Sequence, residues 1–432
     1  MSTIPKIQDA DLRGKIVLVR VDHNVAKKHV VQDPFRIDVT FGTLFNILSK
    51  GGKLILMTHV GRPRDKKTGR IDMDSRYAVQ PIVDYLGKKL HTKFHVPDFQ
   101  ENKEQGGYVN IDSAINLLIR RLRRGTIDGI YLPNVRWFRG EEGGGREADE
   151  FGKQLAGLAD VFVNDAFGSW QPHTSTVEVA RHLPSYAGYL MQHEIQGLQQ
   201  IYEPRRPFLA VIAGSKFDTK IGPLRSLLET VDNLMLGGVI YNAYLCVKHD
   251  IQIQGIDPED IEIAREFYKV SERYPGKVLE PSFVVESDTP KGQLDGQHRV
   301  HDIRELEKGT KLNYVVDIDP QSYDDPVLRE KILNAESIFV NAVMGFTPHF
   351  TAGTKELYTL IDQNRDANKM FGGGDTLQEF RTMLPGTYIR AVDAKDYYFF
   401  SGGGTILKAI HEGSVTGLAT VKALVANGGR EM

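Results

Sequence analysis

Ile16-Val-Leu-Val-Arg-Val-Asp-His-Asn24 begins as a run of β-branched and aliphatic residues and ends with Arg20, Asp22 and Asn24 at alternate positions. Side chains two apart on a strand point to the same face, so these three polar groups line up together. A run this apolar on both faces belongs to a sheet covered on both sides, the usual state of parallel sheets in α/β proteins. Its polar end then falls where open α/β sheets bind ligands, beyond the carboxyl ends of the strands.

Working outward, apolar runs recur at 53 to 60, 129 to 135 and 160 to 167, and in the second half at 208 to 214, 233 to 238, 314 to 318, 337 to 343, 369 to 374 and 397 to 404. Stretches with helical periodicity lie between those of the first half, at 40 to 50, 78 to 90, 112 to 124 and 147 to 158. Continuous apolar strands joined by helix-length connections predict an α/β fold with mainly parallel sheets, in two units. Between them, 183 to 207 reads as one helix closed by Pro204 and Pro207, a rigid connector.

The 54 Lys and Arg nearly balance the 56 Asp and Glu. That balance argues against a protein built to coat nucleic acid or an anionic membrane, so any basic site has to be local. Cys246 is the only cysteine, which excludes an intrachain disulfide and a cysteine-cluster metal site and fits a reducing compartment. The first 15 residues carry charge throughout, and no apolar run approaches the roughly 20 residues of a membrane span. The expected location is the cytoplasm.

The strand ends of the first half collect one kind of side chain. Arg20 closes the first run, His59 and Arg62 follow the second, Arg136 follows the third, and Arg36 lies in the loop after the first. Four arginines and a histidine suit a small, strongly anionic molecule, because guanidinium forks match carboxylate and phosphate oxygens two at a time. Asp22 and Asn24 then orient ligand hydroxyls or the arginines themselves. Taken singly, each arginine also fits a solvated loop residue or an ion-pair partner. The basic run 119 to 125 fits the exposed face and last turn of a helix, where cations suit the dipole. Residues 140 to 150, polar on both sides of their glycines, read as a surface loop.

The second half offers glycines in place of arginines. Residues 369 to 380 and 397 to 410 each run strand, three glycines, helix, and 233 to 245 is a weaker copy. Glycine admits a bulky ligand to the backbone, and the N–H groups of the following helix start attract anions. A tight turn with no ligand accounts equally well for any one cluster. Lys216 and Lys220 follow the 208 to 214 run four apart, so both face one phosphate chain if a helix starts there. Asp375 follows Gly372 to Gly374 directly and suits Mg2+, which takes one or two carboxylates along with phosphate oxygens; its plainer role is a helix N-cap. No GxxxxGK(S/T) and no GxGxxG occurs, which removes the P-loop and dinucleotide readings.

The segments RVDHNV, THVGRP, PNVRWF, VNDAFG, GSKFDTKIG, GGGDT and SGGGTILKAI stand in one order, and the chain resembles the phosphoglycerate kinases along nearly its whole length. The resemblance implies two Rossmann-like three-layer domains joined by a hinge helix. A phosphoglycerate-binding domain would span 1–190, with a segment from about 405 to 432 packing back on it, and a nucleotide-binding domain would span 191–404. The implied reaction is reversible phosphoryl transfer between 1,3-bisphosphoglycerate and MgADP, giving 3-phosphoglycerate and MgATP, in a monomer that closes about residues 186 to 207. Asp22, Asn24, Arg36, His59, Arg62 and Arg136, with Arg20 beside them, would hold phosphoglycerate. Gly214, Lys216, Lys220, Gly237, Gly238, Asn341, Gly373, Gly374, Asp375 and Thr376 would hold ATP or ADP and its Mg2+, with Asp375 as the metal ligand. Arg36, Lys220, Gly374 and Gly403 would act on the transferring group.

Two departures from the family pattern bear on function. After Gly168 the family has an Ala-His-Arg segment whose arginine joins the substrate patch, whereas this chain reads Ser169-Trp170-Gln171-Pro172-His173, with Pro172 at the arginine position. Loss of that charge-assisted contact costs about 1.5–3 kcal/mol unless His173 or Arg139 substitutes. After Met344-Gly345 the family has a glutamate that binds the nucleotide ribose; here the chain reads Phe346-Thr347-Pro348-His349, and Thr347 or His349 is the expected replacement. Two rival functions follow from these changes: a kinase of the same fold for a different phosphorylated carboxylate, and a weakly active or inactive relative that serves as a binding protein.

Overall fold

The computed structural model describes residues 4–32, 34–104, 106–214 and 221–427. The chain divides into two compact units, Met1–Gln196 with Val415–Met432 and Gly197–Ser414. The division falls between Gln196 and Gly197, a few residues past the expected 190/191 within the same Tyr189–Tyr202 helix, and the late segment grouped with the first unit starts at Val415, past the expected 405.

The first unit is built on six parallel strands in the order Phe94–His95, Gly129–Tyr131, Lys53–Met57, Ile16–Val21, Val161–Asp165, Ser185–Ala187. Ile16–Val21 lies between Lys53–Met57 and Val161–Asp165, with Leu18 level with Ile55 and Phe162. All six of its residues are buried. A strand covered on both faces is apolar except where a polar side chain finds buried partners, as Arg20 does, and each aliphatic side chain removed from water contributes about 1.5–3 kcal/mol. The surrounding helices show the complementary pattern. In Ile115–Arg123 only Ile115 and Leu122 are buried, while Arg120, Arg121 and Arg123 occupy the last turn, where their charge suits the dipole.

The second unit carries six parallel strands in the order Val278–Leu279, Asn233–Gly237, Phe208–Gly214, Ser337–Asn341, Asn368–Gly372, Tyr397–Phe400. In this doubly wound order the connections reverse direction between Phe208–Gly214 and Ser337–Asn341, which opens a crevice at the carboxyl ends of those two strands. The corresponding reversal in the first unit lies between Ile16–Val21 and Val161–Asp165.

Tyr314–Ile318 departs from the expected parallel rhythm. It pairs antiparallel with Phe283–Ser287 in a separate three-stranded sheet that also holds His298–Asp302. An apolar run records that a strand is buried and carries no information about the direction of its neighbour. The runs also overshoot the strands: 53 to 60 is strand only to Met57, and 129 to 135 only to Tyr131, because the remaining residues turn into the loops that line a cavity. Among the described residues no helix is long and apolar enough to cross a membrane.

Candidate active site

At the carboxyl end of the first unit's sheet lies a cavity of about 390 Å³, and Arg20, Asp22, Asn24, Arg36, His59, Arg62 and Arg136 all line it. Strand geometry delivers the first three, since they continue one face of Ile16–Val21 into the loop beyond it. The others arrive from the ends of neighbouring strands and from the short helix Phe35–Asp38.

Arg20 is 1% exposed. Its Nε donates to Ser175 Oγ at 2.9 Å, its Nη1 to the Val21 carbonyl at 2.5 Å, and its Nη2 to His59 Nδ1 at 3.0 Å and to Ser169 Oγ at 3.5 Å. With most of its donors spent on the protein, Arg20 builds the cavity wall more than it reaches across it. Arg36 Nη1 stands 3.5 Å from Asp22 Oδ2, and Arg136 Nε stands 3.0 Å from Glu142 Oε1. Arg136 Nη1 also donates to the Gly61 carbonyl at 2.6 Å, and Asn24 Oδ1 accepts from the Gly61 N–H at 2.9 Å. Arg62 is exposed and forms no ion pair among the described residues.

Four guanidinium groups thus share a cavity with one lining carboxylate, Asp22. Burial works against the charge of Asp22, but Arg36, His59 and Arg20 together hold its carboxyl below the ordinary range, so it stays ionised. Its Oδ1 is buried without a hydrogen-bond partner among the described residues. Burial, and then the Arg20 guanidinium, push His59 well below the usual histidine value, so the ring is neutral near pH 7.

The altered loop contributes Ser169, Trp170, Gln171 and His173 to the lining, while Pro172 is exposed and lies outside it. His173 does not restore the charge of an arginine: burial, helped by Arg136, lowers its pKa to about 4. Arg139 pairs with Glu147 at 3.7 Å and takes no part in the lining. Neither expected substitute therefore supplies a cation.

Residues 140 to 150 are not a surface loop throughout. The helix Gly145–Ala156 starts among the glycines, and Glu141 is fully buried. Its carboxylate accepts the Ser175 N–H at 2.9 Å and the Ser175 hydroxyl at 2.6 Å, contacts made across 34 residues of chain. Polar flanks signalled exposure, and no local pattern marks a carboxylate whose partners come from another segment.

The second unit holds a cavity of about 730 Å³ lined by Gly214, Gly238, Asn341, Gly373, Gly374, Asp375 and Thr376. Lys216 and Lys220 lie outside the described residues. Gly237 ends its strand and caps the helix Gly238–His249 without lining the cavity. Gly373 has φ +113° and caps the helix Gly374–Met383. A Cβ on Gly373 would stand 2.7 Å from Asn341 Nδ2, and one on Gly403 would stand 2.8 Å from Gly373 Cα. Gly403, the first residue of Gly403–Glu412, is therefore buried directly behind Gly373 and supports the cavity from outside its lining. Asn341 Nδ2 donates to the Gly372 carbonyl at 2.5 Å, which holds the loop in place. Two helix starts, at Gly238 and Gly374, thus face one cavity with their amide groups, an arrangement that attracts anions.

Asp375 is not the helix N-cap. That position belongs to Gly373, no side chain caps the helix, and Asp375 stands exposed in the first turn. Its carboxylate forms no ion pair among the described residues, and its charge helps raise the pKa of Glu379, after burial. A carboxylate left uncommitted beside an anion-attracting helix start fits a phosphate-bound Mg2+.

Of the two expected replacements for the glutamate, Thr347 lines the cavity, beside Gly345 and Phe346, and His349 does not. Asp317 supports this segment from below. Its Oδ1 accepts from the Ile318 N–H at 2.9 Å and its Oδ2 from the Gly353 N–H at 3.2 Å, while burial raises its pKa to about 7.

A family model described as "Phosphoglycerate kinase" matches residues 7–413. The chain is 31% identical to the phosphoglycerate kinase of Dictyoglomus turgidum over 97% of its length and 98% of that protein. It is 28% identical to the phosphoglycerate kinase of the Wolbachia of Brugia malayi, over 98% of this chain and 100% of the relative. Among solved structures, phosphoglycerate kinase from Pyrococcus horikoshii superimposes with a TM-score of 0.78 at 20% identity, covering 98% of this chain and 99% of that one. The enzyme from Coxiella burnetii gives 0.71 at 24% identity, covering 99% and 100%. Those two likenesses speak for the fold.

Proposed function

The chain belongs to the phosphoglycerate kinase family, phosphotransferases with a carboxyl group as acceptor, and from that premise we propose how its residues carry the transfer between 1,3-bisphosphoglycerate and ADP. The supporting observation is the pair of cavities: one gathers four guanidinium groups around a single carboxylate, and the other is walled by glycine amides at helix starts. A molecule with a carboxylate and a phosphate suits the first, and a nucleotide polyphosphate suits the second.

In the first cavity, Arg62 offers its uncommitted fork to the substrate anion, Arg136 and His59 add donors, and Asn24 is held by Gly61 to do the same. Asp22 Oδ1, buried and without a partner among the described residues, accepts the substrate hydroxyl. Arg36 faces the transferring phosphoryl group. In the second cavity the Gly238 and Gly374 helix starts hold the nucleotide phosphates, with Thr347 toward the ribose. Asp375 would hold Mg2+ with the phosphates, and the bound ion would neutralise charge on them. Lys216 and Lys220 belong to this set on the sequence pattern alone.

Phosphoryl transfer passes through a loose, highly charged transition state, so positioning and fixed positive potential do most of the work and no covalent nucleophile is required. Donor and acceptor must come within bonding distance, so the cycle includes closure of the two units about their connecting segment, which also excludes water. Compaction in small-angle scattering with both substrates bound checks that step. The chain acts as a cytoplasmic monomer on these small molecules, without a nucleic-acid or membrane partner; sedimentation as a single chain checks the first of these. A coupled assay with 3-phosphoglycerate and MgATP tests the whole reading. Turnover with that pair upholds it, and turnover only with another acid, or none, overturns it.

A further inference from the structure

We propose that Glu141 is a positioning residue of the substrate cavity: through Ser175 and Arg20 it fixes His59 as the ring tautomer that offers its Nε2–H to the bound anion. The inference deepens the proposed phosphoglycerate site and rests on it.

The direction of each hydrogen bond follows from what each group is able to donate. Glu141 is fully buried, and its two oxygens take the Ser175 N–H at 2.9 Å and the Ser175 hydroxyl at 2.6 Å. A hydroxyl has one proton, so Ser175 Oγ is left only as an acceptor, and Arg20 Nε donates to it at 2.9 Å. Arginine never accepts, so the 3.0 Å contact between Arg20 Nη2 and His59 Nδ1 has Nδ1 as acceptor. In the neutral ring the proton then sits on Nε2. The charged groups around the ring are Arg20, Arg136, Arg36 and Asp22; burial and the three guanidinium groups outweigh the single carboxylate, so the ring stays neutral. Four residues brought together from positions 20, 59, 141 and 175 thus form one connected set of bonds in which Arg20 donates both ways, through Ser175 toward the buried Glu141 carboxylate and to His59 at the cavity, so that Glu141 and Ser175 hold the guanidinium where it meets His59 Nδ1.

The test reads the histidine ring directly. Protein carrying 15N-histidine is followed by multiple-bond 1H–15N spectra, with the His59 signals assigned by their loss in His59→Gln. The Nε2–H pattern is expected without change from about pH 5.5 to 8, the range in which an ordinary histidine titrates. Glu141→Gln puts an amide donor against one of the two Ser175 donors, and Ser175→Ala removes the middle of the chain. Each is expected to turn the His59 pattern into a mixture of tautomers and to raise the KM for 3-phosphoglycerate about tenfold, with kcat changed less than about threefold. An Nδ1–H pattern or a titration in the wild type overturns the proposal, as does a folded Ser175→Ala with unchanged His59 signals and KM. If Glu141→Gln does not fold, the wild-type spectrum and Ser175→Ala still decide. The spectrum needs no turnover: an inactive protein with the expected tautomer counts against the reaction alone, and an active one with the wrong tautomer counts against Glu141 alone.

Discussion

Asp317 makes the second unit sensitive to pH, and the size of the effect follows from its surroundings. The residue is 4% exposed, and burial outweighs the N–H bonds from Gly353 and Ile318 to raise its pKa from the ordinary 3.8 to about 7. The folded chain therefore binds this proton more tightly than the unfolded chain. The resulting stability is complete below about pH 3.8 and is lost as pH rises through about 7. At 1.36 kcal/mol per pKa unit the full shift is worth about 4 kcal/mol, of which about 2.5 kcal/mol disappears between pH 5 and pH 8. His23 and His173, depressed to about 3 and about 4 chiefly by burial, act in the opposite sense: their stability is present above the ordinary 6.5 and is lost as pH falls. The difference between the wild type and Asp317→Asn cancels those groups. Asparagine keeps the acceptor for Ile318 and loses the one for Gly353 at every pH, a constant cost of about 1 kcal/mol. Between pH 5 and pH 8 the difference in unfolding free energy is expected to move by about 2.5 kcal/mol in favour of the variant. Trp137 and Trp170 both lie in the first unit, so tryptophan fluorescence does not report it. Urea unfolding read by pulsed hydrogen exchange on peptides of the 208 to 214 and 337 to 341 strands does. An equal difference at both pH values, or a shift toward the wild type, would refute the reasoning.

The proposed site makes three further predictions. Gly373→Ala combines φ +113° with a Cβ 2.7 Å from Asn341 Nδ2, a strain of about 1–3 kcal/mol; calorimetry should show weaker ADP binding with unchanged 3-phosphoglycerate binding, and wild-type ADP affinity would speak against it. Asp375→Asn should raise the Mg2+ concentration needed for half-maximal rate while leaving the KM for 3-phosphoglycerate unaltered; an unchanged Mg2+ titration removes Asp375 as the ligand. Arg36→Ala should lower kcat by about a thousandfold or more, with circular dichroism unchanged, because the side chain is partly exposed and its charge is spent on the transition state; near-normal turnover would remove Arg36 from that role.

What could be read beforehand was what neighbouring residues encode. A strand buried on both faces is mainly apolar along its length, so Ile16–Val21, Phe208–Gly214 and Ser337–Asn341 showed as apolar runs. The polar residues expected at a site follow such strands immediately, so Arg20, Asp22, Asn24, His59, Arg62 and Arg136 stood out where the runs ended, and all of them line one cavity. Strands of two or three residues, such as Phe94–His95 and Ser185–Ala187, carry too little periodicity to stand out.

Residue order alone settled the α/β class, the grouping of arginines in one half and glycines in the other, and the absence of a disulfide. Folding of the chain decided which charges survive. It buried Glu141 beneath the site against Ser175, lowered His173 so that it replaces no arginine, left Asp375 free of a capping role, and gave Tyr314–Ile318 antiparallel partners. Each of these depends on burial or on a partner remote along the chain. A side chain's protonation and hydrogen bonds are set by what surrounds it in space, and its covalent neighbours supply only part of that surrounding.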